Sequence, residues 1–275
     1  MEVSDSLLDH LRHVAALPDL TGTRYELEAE IGRGGMGVVY EARDGTLDRR
    51  VALKILDVAL EDEPRLIAQL EHPAIVPIHD AGTLPDGRVY YAMKLVAGAP
   101  LDQYLEAPAS LLERLRVFRR VGEALAFAHS RGTIHRDVKP QNVMVGEFGE
   151  VYLMDWGVEA VAGTPGFRAP EAQLDSRSDI YALGALLQFV LPESTSAALR
   201  AIAIKATRPD PEARYPSVSA LLADVERFQD GRAVEAWSEP LWHRLRRFLL
   251  RNAVLLSLLA AYAVVKILLF VFRQS

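Results

Sequence analysis

From Tyr25 onward the apolar positions fall into short β-type runs bounded by turn residues. They predict strands over Tyr25–Ile31, Val38–Ala42 and Val51–Leu56, with Asp44-Gly45 turning the chain between the last two. Ile75–Ala81 and Arg88–Leu95 predict a hairpin, joined through Leu84-Pro85-Asp86-Gly87. After Gly98 the period changes to helical. Leu111, Leu115, Phe118, Val121, Leu125 and Ala128 predict a helix over Ser110–Arg131, which Gly132 ends. Short strands follow at Val143–Val145 and Val151–Met154, then helices at Asp179–Val190, Ser196–Thr207 and Ser217–Phe228. Strands first and helices later predict an α+β body with two lobes.

The two ends carry other patterns. Leu7, Leu8, Leu11, Val14 and Ala15 predict a short amphipathic helix that Ser4 or Asp5 would cap. A solvated extension packing on the body is its plain reading, and a docking helix the alternative. Acids interrupt this stretch and its start is not basic, so it is no signal peptide. At the other end, AVLLSLLAAYAVVKILLFVF (253–272) holds one charge, Lys266. About 20 helical residues at about 1.5 Å each match a hydrocarbon core. The expectation is one membrane span, against the alternative of a buried core helix. The arginines of WHRLRRFLLRN just before it would hold the body at the cytoplasmic face.

Charge supports that division. The net charge is −6, but from Leu241 on there are six Lys or Arg and no acid, so the preceding residues carry −12. An acidic body argues against a nucleic-acid partner. With no cysteine, disulfides and Cys-ligated metals are excluded.

The chemistry starts at IGRGGMGVV, which comprises Ile31, Gly32, Arg33, Gly34, Gly35, Met36, Gly37, Val38 and Val39. Glycines at 32, 34 and 37 let backbone amides approach phosphate oxygens, though glycines also make ordinary turns. A β-type segment follows instead of a helix, which favours a lid over ATP phosphates. In VALKIL, Lys54 reads as a clamp on the α- and β-phosphates, the alternative being a snorkelling surface lysine.

IHRDVKPQNVMV (134–145) carries a resemblance. With the glycine loop and the strand lysine, it makes the chain resemble a bacterial, membrane-anchored protein serine/threonine kinase of the eukaryotic type, from about Tyr25 to Val234. The resemblance implies a bilobal fold, β-rich then helical, and makes Asp137 the base for the substrate hydroxyl. Lys139 would neutralise charge on the γ-phosphoryl group, and Asn142 would hold Mg²⁺. Asp155, in Asp155-Trp156-Gly157, would be the second metal ligand, with Trp156 as a large aromatic plug. Glu171 of Ala169-Pro170-Glu171 would pair with Arg214, and Asp179 would anchor the catalytic loop. Met93 would back the adenine pocket, with Ala52 also on the nucleotide and Lys94–Val96 as the hinge, Lys94 and Val96 among its contacts.

Three regions are shorter than the resemblance leads one to expect. Glu63 matches the helix glutamate that pairs with Lys54, but only nine places separate them, and Pro64 suits a first turn. Glu61 is the backup partner. Between Gly157 and Gly163, residues 158–162 hold no hydroxyl, so no phosphosite there can pair with Arg136. Thr164 would seat the substrate hydroxyl. After the Asp179 helix, LPESTS leads almost directly into the next helix, where the family has a substrate-docking helix.

The sequence thus predicts an extension (1–22), a kinase domain (23–234, lobes meeting near 96–97), a basic linker (235–252) and the span (253–272). The function expected is ATP- and Mg²⁺-dependent transfer to Ser or Thr hydroxyls of an unidentified protein, with Mn²⁺ as the substitute metal and homodimerisation left open. A membrane-tethered pseudokinase and a pure interaction module are the alternatives.

Overall fold

A computed structural model of the chain describes residues 17–34, 37–56, 62–156 and 165–238, together with single positions between 252 and 266. The first part is an antiparallel five-stranded sheet of β1 (Tyr25–Gly34), β2 (Gly37–Asp44), β3 (Arg49–Leu56), β4 (Ile78–Thr83) and β5 (Val89–Lys94). Its strand order is β1-β2-β3-β5-β4. Helix α1 (Asp62–Ala68) packs beside β4.

The pleat of β3 explains how this sheet serves the cleft. Val51, Leu53 and Ile55 bury into a small core with Val38, Tyr40 and Ala92. Ala52 and Leu56 face the other way, into the large core shared with the helices. Lys54 shares their parity, so a period of two aims it at the lobe interface. The hairpin strand starts at Ile78, later than the expected Ile75. Pro77 has no N–H to give a ladder, and Ile75 makes only a parallel bridge to Leu153.

Beyond β5 come β6 (Gly98–Pro100), α2 (Leu101–Tyr104) and α3 (Leu111–Ser130). Then follow β7 (Val143–Gly146), β8 (Val151–Leu153), α4 (Ser176–Val190), α5 (Ala197–Ala206) and α6 (Val218–Gln229). Strands β6, β7 and β8 form a second small antiparallel sheet. Helix α3 starts with a capping box, in which Ser110 accepts from the Glu113 N–H and the Glu113 carboxylate accepts from the Ser110 N–H. Its buried stripe includes Leu115, Phe118, Val121, Leu125 and Ala128. Helix α4 is buried on most sides and packs on α3 and α5. Gly184 permits this, since a Cβ there would lie 2.5 Å from the Ala206 side chain. Helices α4 and α5 are joined by residues 191–196 alone.

The chain leaving α6 is tied back. Asp224 is fully buried and accepts from the Tyr215 hydroxyl at 2.7 Å. It also accepts from the N–H of Glu235 at 2.6 Å and of Ala236 at 2.9 Å.

The expected membrane span is corrected. Crossing needs one continuous apolar helix of about 20 residues, and among the described residues no helix is long and apolar enough to cross a membrane. The described residues of 253–272 are scattered helical positions from Val254 to Lys266, and the rest of that stretch lies outside the described residues. The transmembrane part of the fold, the bilayer as partner, the single-pass membrane localisation and the placing of the reaction at a membrane face are withdrawn with it. Most of the expected N-terminal helix, residues 1–16, also lies outside the described residues, as do residues 239–251 of the basic linker.

Candidate active site

Asp179 organises the loop after α3. It is 1% exposed near the start of α4. It accepts from the N–H of His135 at 2.7 Å and of Arg136 at 2.8 Å, and from His129 Nε2 at 2.7 Å. A buried carboxylate needs such donors. Here they hold Arg136 at φ 71°, a left-handed backbone that bends the chain toward Asp137.

His135 is also fully buried. Its Nε2–H donates to the Met154 carbonyl at 2.9 Å, and its Nδ1 accepts from the Asp137 N–H at 3.3 Å. Both ring nitrogens are used in the neutral form, and burial pushes the imidazole below its ordinary value. The ring packs on Trp156, with centroids 4.6 Å apart. The Trp156 indole N–H donates to the Leu153 carbonyl at 3.1 Å, and the side chain is buried as the expected plug.

The reactive groups converge on this frame. Lys139 Nζ lies 2.7 Å from Asp137 Oδ2. Asn142, in the 3₁₀ turn Pro140–Asn142, donates through Nδ2 to the Asp137 carbonyl at 2.7 Å and to Asp137 Oδ2 at 3.1 Å. The Asn142 carbonyl accepts from the Met154 N–H at 2.8 Å, which sets Asp155 next to the loop. Asp155 sits at φ 53° with its side chain half exposed. Its Oδ1 meets the buried Lys54 ammonium at 3.1 Å.

Over the cleft, β1 and β2 close through Gly34 and Gly37, with Gly32 and Arg33 paired to Val39 and Val38 and Ile31 exposed. Gly37 has φ 145°, and a Cβ there would fall 2.0 Å from the Ile55 carbonyl. Only glycine fits this close approach. Ala52 and Met93 are paired neighbours on β3 and β5, both buried, and Lys94 and Val96 follow at the strand's end. Gly35, Met36, Glu61, Gly157, Thr164 and the Glu63 side chain lie outside the described residues; the Glu63 backbone falls in the first turn of α1.

Behind the loop, Arg214 Nη1 and Nη2 donate to separate oxygens of Glu171, both at 2.7 Å. Three partners escaped the sequence reading: His129 on Asp179, Ser178 on Glu171 at 3.0 Å, and Tyr152 on Lys94 at 2.6 Å. His129 alone left a signal, as a polar residue one step beyond the buried Ala128.

The family model described as the protein kinase domain matches residues 25–198. The chain belongs to the protein kinase domain family. The DNA damage-responsive serine/threonine-protein kinase RqkA of Deinococcus radiodurans is 38% identical over 197 residues, covering 61% of this chain and 30% of its own. Serine/threonine-protein kinase PknB of Mycobacterium tuberculosis is 32% identical over 281 residues, covering 80% of this chain and 45% of its own. The crystal structure of the M. tuberculosis PknI kinase domain superposes with a TM-score of 0.61 at 29% identity, covering 76% of this chain and 96% of that one. The chain thus spans under half the length of the two curated relatives. What it shares with them is an ATP-dependent serine/threonine protein kinase domain of the bacterial kind, without the membrane-anchored qualifier first attached to it.

Proposed function

We propose that this kinase domain transfers the γ-phosphoryl group of ATP to a serine or threonine hydroxyl of a protein substrate. The observation that carries this reading is two clusters on adjoining strands of chain: Lys139 and Asn142 both bonded to Asp137, and Lys54 paired with Asp155, with the Met154 N–H tying the second to the Asn142 carbonyl of the first.

In this reading Asp137 accepts the hydroxyl proton as its oxygen attacks the γ-phosphorus. The bond to the β-phosphate oxygen breaks and ADP leaves. Lys139 offsets the charge that gathers on the phosphoryl oxygens, and Lys54 holds the α- and β-phosphates. The backbone of Ile31–Val39 covers the phosphates, while Ala52, Met93 and the hinge at Lys94–Val96 seat the purine. Glu63 is the proposed helix partner of Lys54. Asp179 keeps the loop in register, and the Glu171–Arg214 pair braces the lobe behind it. Positioning and electrostatics supply most of the rate.

The residues fit Mg²⁺. Asn142 spends its Nδ2 on Asp137, which leaves its amide oxygen available, and Asp155 supplies a carboxylate; together they would be a hard-oxygen pair. Such a pair suits an ion that completes its shell with phosphate oxygens and water. When bound, Mg²⁺, or Mn²⁺ in its place, would neutralise charge on the β- and γ-phosphates.

The test is label transfer from Mg²⁺-ATP by the full chain, to itself or to a generic basic protein. Asp137→Ala should lower the rate by about 10²- to 10⁴-fold. A wild-type chain that binds Mg²⁺-ATP and transfers nothing would overturn the proposal in favour of a nucleotide-binding scaffold.

A further inference from the structure

Lys94 ends β5 and, in the proposed function on which this inference rests, opens the hinge under the purine. Its side chain crosses to the other lobe. Lys94 Nζ donates to the Tyr152 hydroxyl at 2.6 Å, and Tyr152 lies in β8, buried, three residues before Asp155.

This bond closes a circuit. The Lys94 N–H donates to the Pro77 carbonyl at 3.1 Å. Three residues earlier, the Ala74 carbonyl accepts from the Leu153 N–H at 2.8 Å. Leu153 adjoins Tyr152, which returns to Lys94. The hinge, residues 74–77 and β8 are therefore joined in a ring of three hydrogen bonds. Two are backbone bonds that any sequence could make. The third depends on these two side chains.

An open groove of about 440 Å³ runs beside Tyr152, lined also by Ile75, Pro77 and Ile78. The Lys94 ammonium lies 4.7 Å from the Tyr152 ring centroid, so a cation–π contact adds to the bond. A charge-assisted bond in a half-buried setting is the stronger kind.

We propose that the Lys94–Tyr152 bond is a strut between the lobes that sets the hinge for the nucleotide, making these two positioning residues. Neither needs to touch ATP through its side chain. The strut couples the purine seat to the strand that delivers Asp155.

The test uses the purified full chain with Lys94→Met, Tyr152→Phe, the double variant and Lys94→Arg. ATP affinity is read by calorimetry, alongside KM, kcat and thermal midpoint. Each single change should weaken ATP binding and raise KM by about tenfold, with kcat held within about twofold. The double variant should be no worse than Lys94→Met, which already removes the bond and the cation–π contact to the ring. Lys94→Arg, which keeps a donor, should restore most of the affinity. Additive losses in the double variant would overturn the strut. So would unchanged affinity in both single variants, or a fall in kcat with KM unmoved. Should Lys94→Met not fold, Tyr152→Phe decides alone, because it removes one oxygen and keeps the ring. Binding is measured without phosphoryl transfer, so a chain that binds ATP but transfers nothing sinks the proposed function and not the strut.

Discussion

Arg214 grips Glu171 with both ends of its guanidinium, at 2.7 Å on each prong, while its remaining N–H groups reach the carbonyls of Arg208, Arg177 and Pro209. Every guanidinium hydrogen has an acceptor, and the side chain is fully buried. Arg214→Lys offers three donors to the five acceptor contacts and should destabilise the domain nearly as much as Arg214→Ala. Breaking a buried pair costs about 3 kcal/mol or more. Urea unfolding of both variants checks this.

The same pair sets an acid limit. Hydrogen bonds from Arg214 hold the Glu171 carboxyl below its ordinary value. A lowered carboxyl favours the folded state above its unfolded value, about 4.3, and that contribution disappears as pH falls through the folded value. The stability gap between wild type and Glu171→Gln should therefore be full at pH 6 and shrink steadily below about pH 4.3. Unfolding midpoints across that range measure it.

How far this was legible depends on the range of each interaction. Helix α3 was readable nearly to the residue, because the apolar stripe and the closing Gly132 are local signals. Asp137, Lys139, Asn142 and Asp155 could be singled out as candidates because they sit close together along the chain at motif spacings. His129 and Tyr152 were not, since their partners lie 50 and 58 residues away and only the fold brings them together. The stretch 253–272 was read from hydropathy alone, and among the described residues no helix is long and apolar enough to bear that reading out.

Burial also sets a histidine dependence. His72, His79 and His135 all lie below their ordinary value, chiefly because burial penalises the imidazolium. The unfolded chain then binds protons more readily than the folded one below about pH 6.5, so stability falls on acidification. The urea midpoint should drop between pH 7.5 and 5.5. His135→Asn should flatten that slope, even though it lowers stability at pH 7.5.

Gly37 admits no side chain. Gly37→Ala would place a Cβ against the Ile55 carbonyl at a backbone angle that glycine favours. A strain of about 1–3 kcal/mol should lower the thermal midpoint and weaken ATP binding together. Gly87→Ala is the control. It also has positive φ, but its Cβ would meet nothing within 4 Å, so its cost should be smaller and confined to stability.

Lys54 is the remaining case. Its buried ammonium, 3.1 Å from Asp155, sets a fixed positive charge beside that half-exposed carboxylate. Lys54→Met should weaken Mg²⁺-ATP binding by about tenfold or more and leave the fold intact, which nucleotide titration and circular dichroism would show.

The matched family segment ends at residue 198, yet Asp224 holds the amides of Glu235 and Ala236. A chain cut before Glu235 would strip a fully buried carboxylate of two donors while Tyr215 still leaned on it. A fragment ending before Glu235 should therefore be less stable than one carried through Ala236, although Arg227 and Tyr215 would still reach Asp224 and every residue of the cleft would still be present.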